Sequence, residues 1–390
     1  MPTQTGKTEQ REPAMERVFA PAYLWDFRCN GAACESHCCK GWRIPVDVTS
    51  WERLARLPSK ARKVVFSKLT EKEGTGWETR HDKNGACAFL GEDGLCRLQN
   101  THGEDYLPDI CDSYPRVSYR FSDFVERSLA LTCPVAVRLA LLPEMPMRFE
   151  ERTVPARRAS SAVKPPMEAL RCKAKLRALQ LQMIAILQNR EKPLRLRFLH
   201  LGRFLAALES RCGNHRLPNN ESLAACAENV SPDAGTRARA PAYMRLRYTA
   251  ELLAALYEAE EDYNHVRLHA LVSVLAERET ESEEMLHSLH GHILENLAVN
   301  ELFLRLYPFS CAGGFLANFK LFILRFRIAE FPLLLKASSK NAQLDSEMVL
   351  LLLNRVMEKL DHNRTADGFL KRRAAEDFDG MDADEALSFI

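Results

Sequence analysis

The sequence predicts a mainly α protein, with an irregular, Cys-rich metal-binding N-terminal region followed by an all-helical C-terminal domain. Three observations carry that prediction. Eight of the 12 cysteines (Cys29, Cys34, Cys38, Cys39, Cys87, Cys96, Cys111 and Cys133) fall within 105 residues of the 390-residue chain, where an even scatter would put about three. From Met167 onward, apolar residues recur at spacings of three and four with Lys and Arg between them. Between these two textures, residues 143–166 hold five prolines among basic residues.

Each part can be justified in chain order. Residues 1–16 are polar and read as a solvated, disordered tail, because the patterned sequence begins only after Met15. Residues 17–142 are rich in Gly, Pro, Asp and aromatic residues, with short apolar runs that suit turns better than long helices. The exception is 48–69, where Leu54, Leu57, Val64, Val65 and Leu69 line one helix, or two broken at Pro58. Residues 143–166 read as a linker, since Pro143, Pro146, Pro155, Pro165 and Pro166 alternate with Arg152, Arg157, Arg158 and Lys164. Residues 167–390 read as helical. Leu170, Leu176, Leu179, Met183, Ile186 and Leu187 mark the first apolar face, and similar patterns run through 194–209, 243–260, 264–278, 283–306, 312–335 and 346–361. Asp345 or Ser346 is the N-cap of the last. Pro218, Asn219, Asn220, Ser231, Pro232 and Gly235 mark 212–240 as a loop around one short helix.

Composition narrows the function classes. The chain carries 54 Lys+Arg against 52 Asp+Glu, a net charge of +2, whereas a general nucleic-acid binder has a strongly basic surface. Its longest apolar run, Met348 to Leu353, has six residues. A membrane span needs about 18. The N-terminus lacks the apolar stretch of an export signal. The expectation is a soluble cytoplasmic protein without nucleic-acid or membrane partners.

In a reducing compartment, clustered cysteines read as thiolate metal ligands rather than disulfides. The densest group is Cys29-x4-Cys34-x3-Cys38-Cys39, followed by Gly41-Trp42. Side chains of neighbouring residues diverge in extended backbone, so Cys38 and Cys39 are not both expected at one metal. In the second group, Gly91-Glu-Asp-Gly94 reads as a hairpin tip that brings Cys87 near Cys96, with Cys111 and Cys133 further on. Eight thiols suffice for two four-Cys sites or for one with spares. Spacing chooses neither that number nor between iron–sulfur and zinc.

Two helical constellations read as ordinary packing. Glu284-x-x-His287, with His290 and His292, is half of the pattern of a bundle di-iron site, and its nearest companion is Asp262-x-x-His265. Surface histidines are the better reading. Arg325 and Arg327 among Phe322, Phe326 and Phe331 read as core packing rather than a nucleic-acid patch.

The run Tyr23-Leu-x-x-Phe27-x-Cys29-x4-Cys34-Glu-x2-Cys38-Cys39-x-Gly41-Trp42, then Cys87-x-Phe89-Leu90, Gly94-x-Cys96, Cys111-x-x-Tyr-Pro-Arg116 and Cys133-Pro134, resembles the flagellin lysine-N-methylase (FliB) family. The Cys-Cys pair also resembles a broader metal-chelating group, although this chain has x4 and x3 where that group has x2 and x2. Glu295-Asn296, Asn300, Phe303 and Pro308-Phe309 look like the family's helical half, so the resemblance runs over roughly residues 20–335. It implies a bacterial protein-lysine methyltransferase whose partner is flagellin. The implied cofactors are S-adenosylmethionine, as methyl donor, and an iron–sulfur cluster of the 4Fe-4S type held by the N-terminal cysteines; zinc is the alternative metal. The chain has neither a Gly-rich donor loop (Gly74-Thr-Gly76 is an isolated pair) nor the Cys-x3-Cys-x2-Cys triplet of radical enzymes, because position 41 is Gly41. A non-enzymatic metal-chelating protein and a partner-binding adaptor are the alternative classes.

Such chemistry needs a group to take the proton of the lysine amine, whose ordinary pKa is about 10.4. Asp109, Asp112, Tyr114 and Glu126 are the candidates near the thiols. Chain-closure arguments favour Cys29, Cys34 and one of Cys38 or Cys39 as ligands, with Cys111 as fourth. The helical half is expected to recognise the protein substrate.

Overall fold

The computed structural model describes residues 14–390 apart from 37, 43, 73–75, 157, 159–161, 213–216, 218, 231–238, 258–264, 340–343, 364 and 390. The N-terminal region is more regular than expected, with seven strands in two sheets among the described residues. These are β1 (Met15–Pro21), β2 (Pro45–Val46), β3 (Leu69–Lys72), β4 (Gly76–Thr79), β5 (Arg116–Arg120), β6 (Val125–Leu129) and β7 (Phe149–Pro155). The larger sheet has the order β5-β6-β1-β7, with β1 and β6 parallel and the other pairs antiparallel. The smaller has the order β2-β4-β3.

Two boundaries expected from sequence are corrected. The tail reading of 1–16 fails at its end: Met15 starts β1, and Glu16 is buried between Arg120 and Arg127, each 2.7 Å away. A carboxylate paired with two guanidiniums can be enclosed where a lone one cannot. Residues 1–13 lie outside the described ones. The linker reading of 143–166 fails because residues 149–155 are β7, aligned with β1 from Phe149 opposite Pro21 to Pro155 opposite Met15. Its charges mislead because β7 is an edge strand whose Glu151, Arg152 and Thr153 face solvent.

The mainly α expectation stands, with sixteen helices among the described residues. Pro58 divides Val48–Ala55 from Ser59–Phe66, and Asp47 caps the first of them. The amphipathic patterns become Lys173–Leu187, Leu194–Cys212, Ala242–Tyr257, His265–Glu277, Glu279–Leu304, Gly314–Ala337 and Ser346–His362. Asp345 caps the last through Met348 N at 2.8 Å.

The larger sheet and its following helix pack on the helical half, whereas residues 44–107 keep a small cluster of their own. Phe303 of the Glu279–Leu304 helix meets Phe19 at 5.8 Å and Phe149 at 4.9 Å, so the sheet is roofed by a helix. Polar groups of the helical half complete the seam. Asn300 accepts hydrogen bonds from Tyr23 and, at 3.1 Å, from Ser128. Asn296 donates to the carbonyls of Leu141 and Pro143, and Asn354 to that of Leu131.

Candidate functional site

Short turns set the thiols. Gly31, at φ +57°, turns the chain between Cys29 and Cys34, and its N–H donates to Cys29 Sγ at 3.4 Å. The Cys34 thiol donates to the Ser36 carbonyl at 3.1 Å. Cys39 C=O accepts from Cys87 N at 2.8 Å, which ties the first group to the second. The Gly91–Gly94 turn forms, with Leu90 bridged to Cys96. Cys111 sits in the helix Asp109–Ser113, and Cys133 precedes the helix Pro134–Leu141.

Seven thiols (Cys29, Cys34, Cys38, Cys39, Cys96, Cys111 and Cys133) line a single cavity of about 410 Å³. Both members of the Cys38-Cys39 pair reach it. They lie in a turn, not the extended backbone on which the divergence argument rested. Buried Cys87 stands behind, near Cys39, Cys96 and Cys111. Electrostatic proximity makes two groups joined through Cys38, which also interacts with Cys34. Cys111 interacts with Cys87, Cys96 and Cys38, whereas Cys133 interacts with Cys34 and Cys29.

Burial pushes the Cys111 thiol well above its ordinary value and Cys133 up to about 11. A hydrogen bond with Cys39 draws Cys38 down, while Cys39 holds its own proton. Buried thiols crowded together need a cation before they can all ionise, and a bound metal deprotonates them. The all-sulfur donor set therefore fits an iron–sulfur cluster or zinc. Among the described residues no three Cys, His, Asp or Glu side chains stand in closed metal-binding geometry. The thiols converge on a space without forming a finished shell.

A second cavity, of about 740 Å³, adjoins the first, and Tyr114 lines both. Trp42 stacks on His362 with ring centres 5.5 Å apart and planes at 18°, and Tyr114 lies 6.4 Å from each. Trp42 is anchored by its indole N–H to the Cys38 carbonyl at 2.8 Å, and Tyr114 bonds Thr132 Oγ1 at 3.0 Å. Arg305, Asp361 and Asp367 also line it. Sequence reasoning missed His362, Asp361, Arg305 and Tyr119. No local pattern links His362, at the end of its helix, to Trp42 more than three hundred residues earlier.

The four candidate proton acceptors separate. Asp112 and Tyr114 line the thiol cavity. Asp109 is clamped by Arg53 at 2.8 Å and Arg158 at 3.3 Å. Glu126 faces Gln180 at 2.9 Å in the buried core, where desolvation raises its pKa to about 7. Of the helical constellations, His287 pairs with Glu330 at 3.3 Å and His290 bonds the Leu344 carbonyl at 2.7 Å. Asp262 and the His265 side chain lie outside the described residues. Arg325 and Arg327 are buried, paired with Glu301, Asp361, Glu279, Glu283 and Glu330. Cys172 and Cys226 belong to the helical core, and Cys311 packs against it.

No helix of the described residues is long and apolar enough to cross a membrane. A family model described as the FliB lysine N-methylase C-terminal domain matches residues 180–388. The lysine-N-methylases of Salmonella choleraesuis (strain SC-B67) and Salmonella typhimurium (strain LT2) are 34% and 35% identical to this chain over 142 residues, 35% of each chain. The flagellar biosynthetic protein FliU of Salmonella muenchen is 38% identical over 122 residues, 30% of this chain and 72% of that one. The matched stretch thus spans about a third of the two lysine-N-methylases. No solved structure matches the chain.

Proposed function

The chain belongs to the FliB lysine N-methylase family, and from that premise we propose that it is a protein-lysine N-methyltransferase acting on flagellin. The family match over 180–388 carries this reading. In the reaction the lone pair of a deprotonated lysine ε-amine attacks the methyl carbon of S-adenosylmethionine. The new N–C bond forms as the S–C bond breaks, its electron pair stays on sulfur as a thioether, and the amine proton passes to a base. Asp112, a carboxylate lining the thiol cavity, suits that last task.

The thiols support a resident iron–sulfur cluster. Such a cluster, when bound, supplies one-electron chemistry and electrophilic iron. The proximity of Cys111 to Cys87, Cys96 and Cys38 favours a ligand set drawn from these and Cys39, rather than one centred on Cys29 and Cys34. Cys29, Cys34 and Cys133 form a second group beside it, linked to the first by the proximity of Cys34 to Cys38. The helical half packs on the sheet, and its helical surface suits recognition of a protein substrate.

The experiment is co-expression with flagellin, followed by mass spectrometry of flagellin lysines and iron analysis of the anaerobically purified protein. Methylated lysines together with bound iron and broad absorption near ~400 nm agree with the proposal. Unmodified flagellin overturns the activity. Colourless protein holding zinc overturns the cluster and leaves the fold-stapling reading of the same thiols.

A further inference from the structure

The 740 Å³ cavity beside the thiols is not assigned by family membership, and its walls have a definite chemistry. Three rings, Trp42, Tyr114 and His362, lie within 6.4 Å of one another, with Trp42 stacked on His362 and Tyr114 tilted to both, drawn from the first cysteine turn, the segment before β5 and the end of the Ser346–His362 helix. The cations at its wall are already neutralised: Arg305 by Glu301 and Asp361, and Lys72 by Glu78 at 3.8 Å. Aromatic faces in a place without unbalanced positive charge attract an organic cation on a slender apolar stem. Asp367, bonded to Lys371 at 2.8 Å but half exposed, adds a carboxylate at the rim.

We infer that this cavity is the acceptor channel, taking the side chain of a substrate lysine between the Cys-rich and helical halves. The inference rests on the methyltransferase reading. The stem lies against Trp42 and His362; the ε-nitrogen enters as the ammonium, reaches Tyr114, the side chain shared with the thiol cavity, and gives up its proton to the base before it attacks. A flat patch on the helical half would bind substrate protein without selecting lysine; a cavity bounded by both halves selects the side chain itself. Because a methylammonium group interacts with the same ring faces, mono- and dimethylated lysines remain ligands.

The test is calorimetric titration of the full-length, metal-loaded protein with three peptides of one sequence, holding lysine, trimethyl-lysine or norleucine at the same position. Lysine and trimethyl-lysine peptides are expected to bind at least tenfold more tightly than the norleucine peptide. Trp42→Ala and His362→Ala should each remove that preference, and His362→Ala, on the helical side, should retain its iron and its thermal transition. Equal binding of all three peptides, or an unchanged preference in both folded variants, overturns the inference. Titration of S-adenosylmethionine alone distinguishes the other onium source: if its affinity falls in both variants while peptide affinity holds, the cavity is a donor site and the lysine assignment is wrong. Methylation of flagellin by the wild type with no peptide discrimination defeats the channel but not the activity. Peptide discrimination without methylation does the reverse.

Discussion

The thiol-bearing region and the helical half are stabilised by different means. Around the thiols, the separate apolar cluster amounts to ten buried residues, among them Ile44, Leu54, Val65, Phe89 and Leu107. The helical half has one continuous core from Leu176 to Leu387, with ion pairs such as Arg325–Glu301 and Arg327–Glu330 sealed inside it. A cluster of ten residues is small for independent stability, and small domains of that kind are usually completed by a metal or by docking on a larger neighbour. A metal held by the proposed cysteine ligands would staple this region as well as serve its chemistry. Asn296, Asn300 and Asn354 reach across the seam where a self-sufficient domain would need no such support.

Removing the proposed metal should separate the behaviour of the two halves most strongly. Chelation, or Cys111→Ser, is expected to lower amide protection around residues 38–111 by the equivalent of several kcal/mol, while Gly314–Ala337 keeps its protection; structural thiolate sites contribute on that scale. Hydrogen exchange by mass spectrometry reads this directly, and uniform loss along the chain would deny that the halves differ. Breaking the seam comes next. Phe303→Ala removes a ring 2% exposed and should cost about 3–5 kcal/mol in denaturant unfolding, loosening β1 and β7 together.

A smaller effect of opposite sign belongs to Glu126. Burial raises its carboxyl from the ordinary 4.5 to about 7, so the folded state prefers the protonated form. Its contribution is full below pH 4.5 and lost as pH rises to about 7, a difference of roughly 3 kcal/mol at most. Glu126→Gln, which keeps an acceptor for Gln180, should therefore stabilise the protein at pH 8 and not at pH 4. Thermal melts at the two pH values check it. The smallest change, Asp345→Ala, removes the cap on Met348 N and should cost about 1 kcal/mol within the helical half, leaving any bound iron untouched.

The helices were legible because 3.6-residue periodicity and caps are local signals: Asp345 and Pro58 did what their chemistry dictates. Glu295, Asn296, Asn300 and Phe303, singled out by resemblance, turn out to be seam and core residues. Glu295 holds Arg190 and Arg197, Asn296 holds the end of the Pro134–Leu141 helix, and Asn300 and Phe303 grip the sheet. The strands were not legible. β7 carries charge because it is an edge, and β6 buries Glu126, Arg127 and Ser128 against partners distant in sequence. The thiols were identified from their clustering, but their division was not, since Cys111 meets Cys87 and Cys96 through the tertiary path rather than through spacing. Trp42 was visible within a motif, and its partner His362 was not.

The order of the larger sheet has a consequence for how the chain is made. β1 lies between β6 and β7, and its roof is the helix carrying Asn300, a residue 277 positions after Tyr23. A polypeptide leaving the ribosome N-terminus first therefore holds its opening strand and its first thiols unfinished until most of the helical half has emerged. Long-range pairing of this kind slows folding, because the loop must close before the contact rewards it. The cysteines are synthesised early and enclosed late, so their thiols stay open to solvent while the chain lengthens.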